Sequence, residues 1–203
     1  MSANAQQPPE PAGHRSNDER KRARTIWTIG HSTRPIEEFI ELLGAHRVEL
    51  LADVRRHPGS RRLPWFNSAA LRASLQQAGI EYVHMPELGG RRKPSPDSSN
   101  TAWRNESFRG YADYMQTANF VHGLEGLERH ASTQRTAIMC AETLWWKCHR
   151  GLIADALKAR GWTVLHIQTK DKPPQQHPFT SAARIFKGEL SYRGEAGPKG
   201  LFG

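Results

Sequence analysis

The residues best suited to chemistry lie between positions 140 and 150: Cys140, Glu142, Cys148, His149 and Arg150. These are the only two cysteines of the chain. An apolar run from Thr136 to Met139 stops at Cys140, and an amphipathic pattern begins at Arg150. A thiol at a helix start, beside a histidine and an arginine, has its ionised form favoured by the helix dipole and by nearby cations. Cys148 therefore has the setting of a nucleophile. Cys140, at the end of an apolar run, reads either as a thiol of the site or as a small buried hydrophobe. Neither cysteine is followed by an arginine at the spacing of a phosphatase loop, and no Cys-x-x-Cys redox motif is present. Cys140, Cys148, His149 and His31 include soft and borderline donors for zinc, but their spacing matches no structural zinc motif. No metal and no cofactor are expected.

Other reactive types fall where further apolar runs end. Asp53 and Glu142 form a possible general acid and base pair, if their surroundings push their pKa values apart. Alternatively each pairs with an arginine, Arg55 or Arg150, to fix a loop. Gly30-His31-Ser32 reads as a tight turn whose amides, with Ser32, suit an anion or a carbonyl. His31 suits acid or base work, or a hydrogen-bonded spacer role. Arg55, Arg56, Arg61 and Arg62 surround Pro58-Gly59-Ser60, with Trp65 and Phe66 following at once. Arg91-Arg92-Lys93 adds more cations. Arginine holds phosphate well, and aromatic rings stack on bases.

Alternating patterns must position these groups. Strands are expected at Ile26 to Ile29, Val48 to Val54, Glu81 to Met85, Thr136 to Met139 and Trp162 to Ile167. Ile36, Phe39, Ile40 and Leu43 have helical spacing. Leu71 and Leu75 belong to a second helix capped by Asn67 and stopped at Gly79. Phe108 to His130 reads as helical with a break near Gly123, and Arg150 to Arg160 as another helix. A short helix is expected around Ala182 to Ile185. Strand and helix alternate, which predicts a single α/β domain: a mainly parallel, Rossmann-like five-strand sheet flanked by helices. Its carboxyl edge would collect the loops after Gly30, Asp53, His84, Cys140 and His166, where open α/β sheets bind ligands.

The chain has 203 residues and a net charge of +9. Residues 1–24 are expected to be a disordered basic tail, 25–192 the folded domain, and 193–203 a flexible C-terminal tail. No signal peptide and no bilayer-spanning run are read, so a cytoplasmic protein with reduced thiols is expected. The positive charge favours a polyanionic partner, nucleic acid and DNA in particular, over a membrane. Substrate and oligomeric state stay open.

Thr28-Ile29-Gly30-His31-Ser32, Asp53-Val54-Arg55 with Pro58 and Ser60-Arg61, Leu88-Gly89-Gly90, Phe108 to Ala112, and Met139-Cys140-Ala141-Glu142 with Cys148-His149-Arg150 resemble the signature of one prokaryotic family, domain of unknown function 488. The resemblance runs from Thr25 to Tyr192. It implies an α/β fold, a small cytoplasmic protein and a link to nucleic-acid modification or repair. The leading expectation is an enzyme that acts on a nucleic-acid base, by hydrolysis of an N-glycosidic bond. Asp53 or Glu142 would direct water, with Arg55, Arg61 and Arg150 on phosphate and Tyr82, Trp65 or Tyr192 stacking the base. Gly30, Ser32, Ser60, Cys140 and His149 complete the expected binding site. The alternatives are a thiol-dependent enzyme on a small anionic metabolite, through Cys148 or Cys140, and a non-catalytic nucleic-acid binder.

Overall fold

The computed structural model describes residues 24–194; both expected tails lie almost wholly outside the described residues. Five strands form a parallel sheet: β1 (Thr25–Gly30), β2 (Leu50–Asp53), β3 (Glu81–His84), β4 (Thr136–Cys140) and β5 (Thr163–Ile167). A sixth short strand, β6 (Gln175–Gln176), adds antiparallel to β5, giving the order β3-β2-β4-β1-β5-β6. The fold is thus the expected mainly parallel α/β arrangement, extended by one strand.

Helices α1 (Ile36–Ala45) and α2 (Ser68–Gln77) cover one face. They bury Phe39, Leu42, Leu43, Leu71 and Leu75 against Trp27, Ile29, Leu51, Ala137 and Met139. Helices α3 (Glu106–Tyr114), α4 (Ala118–Thr133) and α5 (Arg150–Ala159) cover the other. There Leu124, Leu127, Leu152 and Ile153 pack on Ile26, Leu50, Ala52, Ile138 and Val164. Strand residues alternate between faces with a period of two. The same parity decides the site: Cys140 shares the α5 face with Ile138, whereas Asp53 shares the opposite face with Leu51. Chain leaving β1 and β2 turns to the first face, and chain leaving β4 to the second. The connections part over β4, which opens a crevice at the carboxyl ends of the strands.

Three local expectations are corrected. The Phe108 to His130 segment is two helices parted at Met115–Thr117, not at Gly123. Thr117 caps α4 by accepting from the Phe120 amide, while buried Gly123 lets the helix close on Glu87 and Leu88. Residues near Ala182 to Ile185 form not a helix but a hairpin, β7 (Arg184–Phe186) with β8 (Glu189–Ser191). Lys187 and Gly188 both have positive φ, the conformation of a two-residue hairpin turn. Asn67 stands at the start of α2, but its side chain does not cap that helix. Its Oδ1 accepts from the Ser60 amide at 2.6 Å and so folds the arginine loop. Among the described residues no helix is long and apolar enough to cross a membrane.

Gly30 is where backbone crowding is greatest, since a Cβ there would sit 1.8 Å from the carbonyl oxygen of Glu142. Gly30→Ala is expected to cost about 3 kcal/mol through overpacking. Gly44→Ala on α1, where a Cβ meets nothing within 4 Å, is expected to add roughly 0.5 kcal/mol by removing helix-interior glycine. Urea denaturation of both variants checks the contrast.

Candidate active site

The crevice holds a pocket of about 530 Å³. His31, Ser32, Arg55, Ser60, Cys140, Glu142, Cys148 and His149 line it, as do Arg56 and Arg91. Glu142, Arg56 and Arg91 are exposed at its rim. β4 delivers Cys140 at its last residue, and a 3-10 turn over Trp145–Lys147 returns the chain so that Cys148 lies just before α5. The two sulfurs approach to 2.6 Å, and both thiols are free.

Arg150 lies behind the sulfur pair and is 1% exposed. Its Nε donates to Cys140 Sγ at 3.0 Å, and its backbone amide to Cys148 Sγ at 3.5 Å. Its remaining nitrogens donate to the carbonyls of Glu142 and Thr143 and to Thr28 Oγ1. No carboxylate among the described residues forms an ion pair with it. A buried charge requires a counter-charge, and the sulfur pair supplies one. Burial pushes the Cys148 thiol up, but the Cys140 hydrogen bond and Arg150 outweigh it and bring it down to about 7. Burial and the bond to Cys148 push Cys140 up. The guanidinium touches Cys140, and Cys148 is the more acidic member of the coupled pair. His149 Nε2 donates to the Val54 carbonyl at 3.0 Å, which leaves a lone pair on Nδ1 at 3.4 Å from Cys148 Sγ. Burial lowers the His149 pKa and keeps the ring neutral.

A buried relay extends from Arg150 to Asp155. Arginine can only donate, so Thr28 Oγ1 accepts from it and donates to His166 Nδ1 at 2.7 Å. His166 Nε2 then donates to His177 Nδ1 at 2.9 Å, and His177 Nε2 to Asp155 at 2.9 Å. Asp155, 0% exposed, also accepts from the Thr180 amide and hydroxyl and from Tyr192. Trp145 stacks on His166 at 4.5 Å. Thr28 and His166 meet because they are register partners on β1 and β5. The sequence reading missed this role for Thr28, Asp155, His166 and His177. The available signal was a lone acid inside the apolar run Leu152 to Leu157.

Several expected roles are corrected. Asp53 is 0% exposed and lies outside the pocket lining. It holds Arg55 through both carboxylate oxygens and accepts from Tyr82. Both of its oxygens are thus taken up by Arg55 and Tyr82, away from the pocket where a water would be directed. Tyr82 is buried in that contact, and burial first, then Asp53, raises its pKa. Trp65 donates to the Arg34 carbonyl, and Tyr192 is anchored on Asp155 of α5; none of the three rings lines the pocket. Arg61 is exposed beyond the lining, and Arg150 faces sulfur rather than phosphate. Gly30 supplies close packing. The amides of His31 and Ser32 are committed to the carbonyls of Cys140 and Ala141, so that turn is no anion cradle. His31 Nδ1 donates to the Ser32 carbonyl, and its Nε2 accepts from Arg55 at 3.3 Å.

Cys140, Cys148 and His149 bring three donor atoms within 4.8 Å of one another. Two thiolates on one tetrahedral zinc, with bonds of about 2.3 Å, stand roughly 3.7 Å apart. The three donors match in number and type the ligand set of a zinc site with an open fourth position, and they serve equally as a dithiol beside an imidazole.

Burial lowers His31 to about 4 and His166 to about 2. Below the ordinary value of 6.5, the unfolded chain takes up protons that the fold refuses, so stability falls as pH falls. For His31 the loss occurs from pH 6.5 down to about 4. A thermal denaturation series across that window is expected to show the decline, with a shallower slope in His31→Gln.

The family model described as Domain of unknown function DUF488 matches residues 35–157. That stretch is narrower than the resemblance read from the motifs. It contains Cys140, Cys148, His149 and Arg150, whereas Thr28, His31, His166 and His177 fall outside it. No curated protein and no solved structure matches the chain. The family match covers more than half of the 203 residues, and the chain belongs to the Domain of unknown function DUF488 family.

Proposed function

We propose that this protein is a thiol-dependent enzyme of a reducing, cytoplasmic compartment that acts on a small anionic metabolite. The observation that carries the reading is the sulfur pair against buried Arg150 at a pocket rimmed by guanidinium groups. Cys148 is the nucleophile. His149 Nδ1 lies 3.4 Å from Cys148 Sγ and orients the attacking thiolate, the pairing of a cysteine with an imidazole. Arg55, held in place by Asp53 and His31, orients the anion. Arg56 and Arg91, joined by a hydrogen bond between the Arg56 guanidinium and the Arg91 carbonyl, bring positive charge to the mouth. Such a field draws anions in and weakens as salt rises.

A second reading keeps a nucleic-acid partner, DNA in particular. Exposed Arg56, Arg61, Arg62 and Arg91 favour it, since an arginine rim suits a phosphate backbone. Base hydrolysis would then fall to Glu142, the carboxylate that lines the pocket among the described residues.

Two measurements separate the readings. Alkylation of the native protein by iodoacetamide is expected to follow an apparent pKa of about 7, below the usual thiol value of about 8.5. Cys148→Ser should lose this fast phase. In a panel of small anionic electrophiles and modified-base oligonucleotides, turnover is expected with the former, lowered at least ~100-fold in Cys148→Ser. Turnover of oligonucleotides that survives Cys148→Ser and is lost in Glu142→Gln would establish the second reading instead.

A further inference from the structure

We infer that Cys140 is the resolving partner of Cys148, and that the substrate class is an anionic small-molecule disulfide reduced by thiol–disulfide exchange. The inference rests on the thiol reading above and adds the electrophile and the electron count. A lone nucleophilic cysteine needs no second sulfur. Here Cys140 Sγ lies 2.6 Å from Cys148 Sγ, and both cysteines, though buried, belong to the lining of the same pocket. A mixed disulfide formed on Cys148 would hold its sulfur directly against a second thiol.

The steps balance. Cys148 thiolate attacks one sulfur of R–S–S–R; the substrate S–S bond breaks, Cys148–S–S–R forms and R–S⁻ leaves. Cys140 then attacks Cys148 Sγ and expels the second R–S⁻, and the Cys140 proton leaves with one of the two products as R–SH. The cysteine pair gives up two electrons and the substrate disulfide gains two. A small-molecule dithiol returns the enzyme to its reduced state by the reverse exchange, releasing a cyclic disulfide.

Arg150 raises the potential of the couple, which favours regeneration by the dithiol and confines reduction to strongly oxidising disulfide substrates. In the reduced state its buried cation faces the sulfur pair, where a thiolate is the counter-charge within reach. Oxidation replaces that charge with a neutral disulfide and leaves the guanidinium without its counter-charge. Stabilising the reduced form makes the disulfide an easily reduced one. Such a pair exchanges; it does not serve as a lasting cross-link. The walls select charge: Arg55 reaches the lining, and Arg56 and Arg91 stand at the rim.

The test uses the full chain and the dianionic probe 5,5′-dithiobis(2-nitrobenzoate), whose thiolate is coloured. Wild type is expected to release two thiolates per chain in a fast phase, to retain no adduct, and to lose the mass of two hydrogens. Cys140→Ser is expected to release one and to retain one thiobenzoate as a mixed disulfide. Cys148→Ser is expected to lose the fast phase. A neutral disulfide, with both rates normalised to those with a free thiol, is expected to react roughly tenfold more slowly at low salt, the gap narrowing at high salt. Wild-type stoichiometry decides even where a variant fails to fold. A stable adduct on wild type overturns the resolving role of Cys140 and leaves the nucleophilic reading of Cys148 standing. A fast phase that persists in Cys148→Ser overturns both. Equal rates with the neutral probe overturn the anionic substrate class. Purified protein that holds one zinc per chain, with both thiols silent until the metal is chelated, overturns the dithiol cycle.

Discussion

A guanidinium enclosed without a carboxylate is the constraint on which this structure turns. Arg150 is among the largest fully buried side chains of the described residues. Removing a charge of that size from water costs several kcal/mol unless hydrogen bonds and an opposite charge replace the lost hydration. The Glu142 and Thr143 carbonyls and Thr28 supply hydrogen bonds. The opposite charge comes from sulfur at the site itself and, more remotely, from Asp155 at the end of the relay. Between guanidinium and carboxylate stand a hydroxyl and two imidazoles, each donating toward the acid. Both ends of the chain fix its direction, because arginine only donates and a carboxylate only accepts. A proton added to His166 would break that order and set a cation near Arg150, in agreement with the low pKa of this buried ring.

That demand shapes the surrounding fold. Thr28, Cys140 and His166 reach the same face because strand parity sends them to the side covered by α5. Gly30 lets the loop after β4 close over β1, and this loop presents the Glu142 carbonyl to Arg150. Trp145 closes the relay by stacking on His166, and its indole nitrogen donates to Gln175 on β6. The short sixth strand, which has no apolar pattern of its own, thereby acquires a place. It extends the sheet and covers the relay.

The parallel sheet, its five strands and the gathering of polar residues at its carboxyl edge were legible because periodicity is local. The Cys140 to Arg150 block was legible because thiols are rare in this chain and the block follows an apolar run. Contacts set by distant register could not be read. Nothing near Thr28 indicates that β5 will lie beside it, and nothing near Asp155 indicates that His177 folds back onto it. Asp53 shows the limit most clearly. A carboxylate at a strand end in an α/β crevice suggests catalysis, yet parity turns it to the face opposite Cys140, toward Tyr82 and Arg55. Residue type fixes what a group can do, and strand parity fixes where it can do it. The break at Met115–Thr117 was missed for a related reason: glycine suggested a stop at 123, where packing against Leu88 instead requires a small residue.

The two buried arginines allow a comparison within one molecule. Arg55 and Arg150 flank the same pocket. Arg55 is clamped by Asp53 through both oxygens, so its charge has a permanent partner and its geometry is rigid. Arg150, at the start of α5, lies against the end of β4, which finishes in Cys140, not in an acid. A carboxylate at that position would satisfy Arg150 permanently, since it stays ionised across the physiological range. A thiol satisfies it only when ionised and unoxidised. The cation therefore remains sensitive to the chemical state of the sulfur pair, and any covalent bond formed on either sulfur changes the electrostatic balance of the buried relay. One arginine keeps a fixed partner and the other is coupled to the chemistry of the sulfurs, and the difference is a single residue type at the end of a strand.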